Sequence, residues 1–216
     1  MKAWNYLSIL TNFGCHFQCP YCVTKKQGID IPPTTVHSLD KLDEAIESTG
    51  ANIISVSGGG DPLHNYHAHI DFYDRLFCIS RRKRLPVEMH TSYIDSAFPY
   101  GECYRVVYHL RNVSDILRVK KYHREKVRVV FVVTKEFDQD LVMAIAQFVK
   151  TSPDIDELSF RQLIDENYEP SYHLHEFLNE GHKKWWWYIE QGDYNTYFVD
   201  GKLSSQFKSL RKEKEN

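Results

Sequence analysis

The stretch from Tyr6 to Cys22, YLSILTNFGCHFQCPYC, joins an apolar run directly to a loop with three cysteines. The apolar run Tyr6 to Leu10 has the length of a strand. The thiols follow at Cys15, Cys19 and Cys22, in the spacing C-x3-C-x2-C. Both open and closed α/β folds place their chemistry on loops at the carboxyl ends of strands. The stretch therefore predicts an α/β fold with a thiol site at such an edge.

Three clustered thiolates suit a metal centre that keeps one coordination position open. Thiolates are the usual protein ligands of iron–sulfur clusters, and three of them complete neither a four-iron cluster nor a tetrahedral zinc site. The alternative is a structural zinc completed by His16 or by a distant histidine. Zinc sites commonly use a second cysteine pair, whereas Cys78 and Cys103 stand alone and are predicted to be small core residues.

A second motif, SGGGDPL from Ser57 to Leu63, follows another apolar run. The cysteine loop, with Tyr21 before its last cysteine, resembles the signature loop of the radical S-adenosylmethionine (SAM) enzymes. The glycine segment resembles the Gly-Gly-Glu-Pro segment of the same superfamily, with Asp61 where glutamate is usual. As an order of strands and helices, the resemblance extends over roughly residues 5 to 162.

The resemblance implies an enzyme of the single-cluster type. In that family three cysteines hold a [4Fe-4S] cluster, and the amino and carboxylate groups of SAM chelate the fourth iron. An electron from a donor such as flavodoxin or ferredoxin then cleaves SAM, and the 5′-deoxyadenosyl radical abstracts hydrogen from a substrate. The catalytic residues that would touch this substrate are unknown at this stage.

The same resemblance assigns the site residues. Cys15, Cys19 and Cys22 would bind the cluster. Residues expected to contact SAM lie in the two loops and at the ends of later strands: Tyr21 near the adenine, Gly59, Gly60 and Asp61 at the methionyl amino group, then Ser92, His109, Thr134 and Arg161. His109 is at a position that often contacts ribose, and a buried arginine such as Arg161 suits the SAM carboxylate.

The order of apolar runs predicts a partial (β/α)6 open barrel of parallel strands over residues 1–165. Strands are predicted at 5–11, 52–57, 86–91, 104–110, 127–134 and 156–163. Helices are predicted at 64–84, 114–123 and 138–150, and a further helix has Ser38 as its N-cap and Gly50 after its end. Residues 166–216 are predicted as an extension, with a small antiparallel hairpin or meander from Trp185 to Gly201 and a disordered charged end.

Composition excludes several classes of protein. The 216 residues are 42% apolar and 26% charged, with a net charge of −2, which suits one domain with a small appendage rather than an obligate nucleic-acid binder. No apolar run approaches the length of a membrane span, and the N-terminus lacks an apolar signal core. Five cysteines, three of them crowded, argue against a disulfide framework, so we expect a cytoplasmic protein.

Substrate identity stays open within the superfamily. Basic runs at 81–84 and 118–128, with the aromatic run Trp185 to Tyr188, favour a nucleotide or nucleic-acid base. A peptide or protein substrate and a glycyl-radical activase are the alternatives. From another class comes a zinc-stabilised module whose basic helix binds nucleic acid.

Overall fold

The computed structural model describes residues 4–26, 29, 31–94, 97–163, 171, 174–184, 188–190 and 196–210. Within these ranges nine strands form one sheet, in the order β7-β6-β5-β4-β3-β2-β1-β8-β9. All neighbouring strands are parallel except β9, which is antiparallel to β8. The chain is therefore an α/β protein with a mostly parallel sheet, as the sequence predicts.

The strands are β1 Tyr6–Thr11, β2 Ile53–Gly58, β3 Val87–Thr91, β4 Arg105–Leu110, β5 Lys126–Val133, β6 Glu157–Gln162, β7 Tyr188–Glu190, β8 Thr196–Val199 and β9 Lys202–Ser204. The α-helices are α1 Val23–Lys26, α2 Leu42–Thr49, α3 Ile70–Lys83, α4 Gln139–Thr151 and α5 His175–Lys184. Short 3-10 helices cover Val36–Lys41, Tyr66–His69, Tyr100–Glu102, Val113–Arg118 and Phe207–Leu210. Across the described ranges, none of these helices is long and apolar enough to cross a membrane.

The sequential order of β1 to β7 places the carboxyl ends of these strands along one edge of the sheet. The cysteine loop follows β1 and the glycine loop follows β2, so the two motifs leave neighbouring strands. The β3 and β4 ends that carry Ser92 and His109 come next in the same order. Topology alone thus brings the predicted site residues to one edge.

One face of the sheet is an apolar core beneath the helices. Alternate strand residues such as Leu7, Val56, Met89 and Phe131 pack with apolar residues of α2, α3 and α4. Each of these four strand side chains is no more than 1% exposed. Because side chains alternate along a strand, the residues between them project from the opposite face.

The opposite face, called the polar face below, mixes buried apolar residues such as Ile53 and Val107 with buried polar ones. Ser8, Ser55, Glu88, Arg105 and Ser159 alternate with core residues and are each at most 3% exposed. Parallel strands buried on both faces usually read as continuous apolar runs. Buried serines and charged residues at this frequency therefore mark a face with a role other than apolar packing.

All six strand predictions are confirmed to within about one or two residues, the usual uncertainty of strand ends. The helix predicted at 114–123 is wrong, because only the 3-10 helix Val113–Arg118 forms there. Of its apolar side chains, Ile116 is buried but Leu117 is 65% exposed, so the segment lacks the stripe that stabilises a longer helix.

Two helix starts also differ from their predictions. Ser38 is not an N-cap; Thr35 takes that position, and its backbone N–H donates to Ser38 Oγ at 3.2 Å. The helix predicted from residue 64 begins at Ile70, after a 3-10 helix. Gly50 is confirmed as the residue that ends α2, in the left-handed conformation at φ 64°.

The C-terminal part joins the main sheet at both edges. The antiparallel hairpin β8–β9 turns at Asp200 and Gly201, as predicted, and β8 pairs in parallel with β1. Tyr188–Glu190 instead pairs in parallel with β6 at the other edge. Trp185 to Trp187 and residues 211–216, where the aromatic run and most of the disordered end are predicted, lie outside the described residues.

Candidate functional site

The three thiols of the loop after β1 are free and half-buried. The Phe17 N–H donates to Cys15 Sγ at 3.4 Å, and the Cys22 N–H donates to the Cys19 carbonyl at 3.1 Å. Cys22 Sγ lies 3.1 Å from the Thr24 hydroxyl. The loop thus makes a tight local turn and carries three free thiols.

Burial and the neighbouring thiols disfavour the thiolate forms of Cys15 and Cys19. Burial raises the pKa of Cys15 and of Cys19, and the neighbouring thiols add to both shifts. Burial also raises the pKa of Tyr21 to about 12, with a further contribution from Cys19. A cation beside these two sulfurs would favour their thiolate forms.

The cysteine loop and the glycine loop are joined through their backbones. The Gly59 N–H donates to the Thr11 carbonyl at 2.7 Å, and the Asp61 N–H donates to the Gly14 carbonyl at 2.8 Å. A Cβ on Gly60 would lie 2.0 Å from the Gly14 oxygen, so a side chain cannot be accommodated there. Position 60 therefore requires glycine, because the backbone there lies so close to the backbone of Gly14.

The Asp61 side chain extends this junction to the end of β3. Its Oδ1 accepts from the Leu63 N–H at 2.9 Å and from the Thr91 hydroxyl at 2.7 Å, and its Oδ2 accepts from the Ser92 N–H at 2.7 Å. The residue is only 3% exposed. A single carboxylate thus fixes the β3 terminus relative to the two loops.

A cleft of about 170 Å³ opens beside this junction, at the carboxyl ends of β2, β3 and β4. Its walls are polar side chains, glycine backbone and one proline: Gly58, Gly60, Asp61, Pro62, His90, Thr91, Ser92 and His109. Hydrogen-bonding groups that converge in a concave site at such an edge are typical of ligand-binding sites.

The structure brings together some of the predicted site residues. Gly60, Asp61, Ser92 and His109 line the cleft. Gly59 lies against Ile31, and Tyr21 lies beside Cys19. Thr134 and Arg161, which the structure describes, are not among the cleft-lining residues, and the Thr134 hydroxyl accepts from the Glu136 N–H at 3.4 Å.

Sequence reasoning missed a charged network on the polar face of the sheet. Arg105 of β4 forms ion pairs with Glu88 of β3 and with Glu157 of β6, the latter at 3.0 Å. Arg128 of β5 pairs with the same Glu157 at 2.6 Å, and Arg105 Nη2 donates to the Tyr6 hydroxyl at 2.8 Å. The signal in the sequence was charge at alternate positions of otherwise apolar parallel strands.

This network reaches the cleft through two histidines. His90 Nε2 lies 2.6 Å from Glu88 Oε1, and His90 Nδ1 lies 2.9 Å from His109 Nε2. Burial opposes ionisation of Glu88, but the hydrogen bond and charge of His90 and the charge of Arg105 outweigh it and lower the pKa of Glu88 to about 2. Glu88 is therefore an anion at any ordinary pH.

Arg111 is a second residue that the sequence did not single out. Its guanidinium lies over the Phe17 ring, 3.8 Å from the ring centroid, and Phe17 lies between Cys15 and Cys19 in the loop. Its charge favours the ionised form of Cys19. The same charge also favours the ionised form of Tyr21, which precedes the last cysteine of the loop.

His16, which the zinc alternative would use, lies against aromatic rings. Its ring stacks with Tyr93 at 4.5 Å and meets His64 edge-on at 4.4 Å between centroids. Among the described residues, no three His, Cys, Asp or Glu side chains converge where they could hold one metal ion.

The sequence matches no protein-family model, and no curated protein matches it either.

We predict that Gly60→Ala separates the two loops. The added methyl group would force the Gly14 backbone to move, at a cost of about 3 kcal/mol or more in the free energy of unfolding. Urea unfolding would measure this cost, and faster thiol labelling of Cys15 would report the displaced loop. Gly101→Ala is the control, because its added Cβ would meet nothing closer than 3.7 Å. Equal effects of the two substitutions would contradict the role of the Gly14–Gly60 contact.

We predict that Glu88 makes stability depend on acid pH. Because its pKa in the folded protein is lower than in the unfolded chain, its contribution is complete above about pH 4.5 and is lost as the pH falls toward about 2. The loss is about 3 kcal/mol, and Glu88→Gln should remove it. Urea unfolding from about pH 5 to about pH 2.5 would measure this difference. Glu136→Gln, at an exposed site, should keep the wild-type dependence; unchanged pH dependence in Glu88→Gln would refute the prediction.

Proposed function

We propose that the chain is a single-cluster radical SAM enzyme. The observation that carries the proposal is the backbone junction between the cysteine loop and the glycine loop at the cleft. Two motifs that resemble one superfamily, far apart in sequence, meet there at hydrogen-bond distance. The class rests on this arrangement together with the three free thiols.

The three free thiols of one loop have the donor chemistry of the implied cluster, although the described side chains do not converge on one metal position. Cys15, Cys19 and Cys22 would hold a [4Fe-4S] cluster and leave one iron for SAM. When bound, the cluster would supply the electron that cleaves SAM to a 5′-deoxyadenosyl radical. The polar walls of the neighbouring cleft would bind and orient the ligand, with Gly60 and Asp61 on one side and Ser92 and His109 on the other.

The proposed architecture is a partial (β/α)6 open barrel whose polar face is concave. It is supported by the hydrogen bond between Arg105 of β4 and Tyr6 of β1. Three strand spacings, about 14 Å in a flat sheet, separate these strands. Curvature toward the polar face lets their side chains meet and buries charges that no helix of the apolar face covers.

The substrate class proposed from the sequence, a nucleotide or nucleic-acid base, has limited support from the basic runs. Five of the six basic residues in 118–128 form ion pairs: Arg118, Lys120, Lys121, Lys126 and Arg128. Arg128 also lies on the polar face of the sheet, away from a basic outer surface. A peptide or protein substrate and an activase role therefore remain alternatives. A flavodoxin or ferredoxin as electron donor and a cytoplasmic location belong to the same proposal.

Anaerobic reconstitution with iron and sulfide tests the proposal. We expect a brown protein with about four irons per chain and absorbance near about 400 nm. After reduction it should convert SAM to 5′-deoxyadenosine, measured by chromatography and mass spectrometry. Cys19→Ala should lose the iron and the cleavage, whereas Cys78→Ala should keep both, because Cys78 is an exposed residue of α3.

Cys78 was predicted to be a core residue, and that prediction is wrong; Cys103 is buried as predicted.

A colourless protein with one tightly bound zinc per chain would refute the enzyme assignment and favour the zinc-stabilised module. Undiminished 5′-deoxyadenosine from Cys19→Ala would likewise contradict the assignment of that ligand.

We predict that Arg111 raises the reduction potential of the reconstituted cluster. A cation beside the cysteine loop stabilises the more negative reduced state, so Arg111→Gln should lower the midpoint potential by roughly 20–60 mV. Arg111→Lys should retain most of the wild-type value because it keeps the charge. A redox titration followed by electron paramagnetic resonance would measure the shift, and Arg84→Gln controls for loss of a cation elsewhere. A potential unaffected by Arg111→Gln would contradict the prediction.

A further inference from the structure

Tyr73, a buried residue of α3, contacts both loops of the candidate site. Its hydroxyl donates to the carbonyl of Pro62, which lines the cleft beside Asp61. Its ring lies against the ring of Phe13, two residues before Cys15, with 6.2 Å between the centroids. The residue is only 4% exposed. One core side chain therefore connects α3 to the cysteine loop and to the glycine loop.

Neighbouring aromatic rings hold the Tyr73 ring in place. Phe72 and Phe98 meet it edge-on, at 5.4 Å and 5.0 Å between centroids, and Phe77 stacks with it at 6.5 Å. Edge-to-face and offset stacked pairs at such distances are favourable. Because the ring is fixed by these contacts, its hydroxyl has one position, and the hydrogen bond to Pro62 requires no further ordering of the side chain.

The Tyr73 hydroxyl remains a hydrogen-bond donor at any ordinary pH. Burial raises the pKa of this hydroxyl well above its usual value, and the charge of Asp61 raises it further. Pro62 is itself buried, so water does not readily replace a donor that is lost at its carbonyl. The contact between α3 and the glycine loop is therefore permanent in the folded protein.

The glycine loop is thus held from two sides. On the side of the sheet, the Asp61 carboxylate accepts from the Thr91 hydroxyl and from the Ser92 N–H, both at 2.7 Å. On the side of the helix, Tyr73 holds the carbonyl of the next residue, Pro62. Fixed points at two successive residues leave the backbone between them little freedom, because each peptide unit is planar.

We propose that Tyr73 is a positioning residue of the cleft, which keeps the glycine loop in the conformation that binds the ligand. Tyr73 acts through Pro62 and Asp61, since it is not among the described residues that line the cleft. The inference rests on the proposed function for the identity of the ligand, SAM. The control of the loop by Tyr73 rests on the contacts alone.

Tyr73→Phe tests the role, because it removes one oxygen atom and keeps the ring contacts. Tyr66→Phe is the matched control. The Tyr66 hydroxyl likewise donates to a loop carbonyl, that of Ala97 at 3.1 Å, and its ring also packs edge-on against Phe98. The two variants lose the same kind of hydrogen bond, but only that of Tyr73 holds the glycine loop.

Hydrogen–deuterium exchange of the full chain, without cluster or SAM, measures the hold on the loop. The reporters are the N–H groups of Asp61, Leu63 and His64, which donate to the Gly14 carbonyl, to Asp61 Oδ1 and to the Asp61 carbonyl. We expect these amides to exchange about threefold to tenfold faster in Tyr73→Phe than in Tyr66→Phe, the factor that one hydrogen bond supplies. The amides of β5 should respond alike in the two variants.

The reconstituted protein provides the second readout. A loop that spends less time in its binding conformation weakens the apparent affinity by the same factor. We therefore expect Tyr73→Phe to raise KM for SAM about threefold to tenfold, with kcat and iron content close to those of Tyr66→Phe. Both variants have the same aromatic ring at the substituted position, so a general loss of packing would affect them alike.

Two results would overturn the proposal. Equal exchange of the glycine loop in the two variants would show that Tyr73 does not hold it. Faster exchange with an unchanged KM for SAM would make Tyr73 a structural residue only. A reconstituted wild-type protein that cleaves no SAM would instead refute the proposed function, and the exchange measurement would still decide whether Tyr73 controls the loop.

Discussion

The contact between the backbones of Gly14 and Gly60 is the constraint on which the site depends. It allows the Asp61 N–H to reach the Gly14 carbonyl, so the loops after β1 and β2 act as one unit. The Asp61 carboxylate then fixes the end of β3 through Thr91 and Ser92. Three neighbouring strand ends are thereby held by short-range contacts of the main chain and of two short side chains, Asp61 and Thr91. Such contacts position a site more accurately than long, flexible side chains would.

The polar face of the sheet carries a different constraint. A buried ion pair rarely stabilises a protein more than an apolar pair of similar volume would. The network of Glu88, Arg105, Arg128 and Glu157 is therefore poorly explained by stability alone. The apolar face already has a continuous core from α2 to α4. The charges on the other face are connected to the cleft through His90. They give the protein a polar interior where ligand chemistry is possible.

Strands and loops with local signals could be predicted from the sequence, whereas the relations between strands could not. The run Val127 to Val133 identifies β5 by itself, and the cysteine and glycine spacings identify their loops. Glu88 and Arg105, however, look like surface residues until the register aligns them on neighbouring strands. The helix predicted at 114–123 failed because its charges suggested a solvated helix, whereas Lys120 and Lys121 pair with Asp154 and Asp156 across a loop. The pairing of Glu88 with Arg105 and the absence of the predicted helix both depend on contacts between segments that are distant in sequence.

The aspartate at position 61 follows from the same geometry. Its Oδ1 accepts two hydrogen bonds and its Oδ2 accepts one from the described residues, so a carboxylate with about four acceptor positions has about one left for a ligand. A glutamate would place its oxygens one methylene farther from the backbone that Gly14 holds, and could not make these contacts without moving the loop. Asp61 thus chiefly holds the glycine loop and the end of β3 together. Recognition in the cleft consequently falls on its other polar side chains, of which His90 and His109 are connected by hydrogen bonds to the buried Glu88 carboxylate.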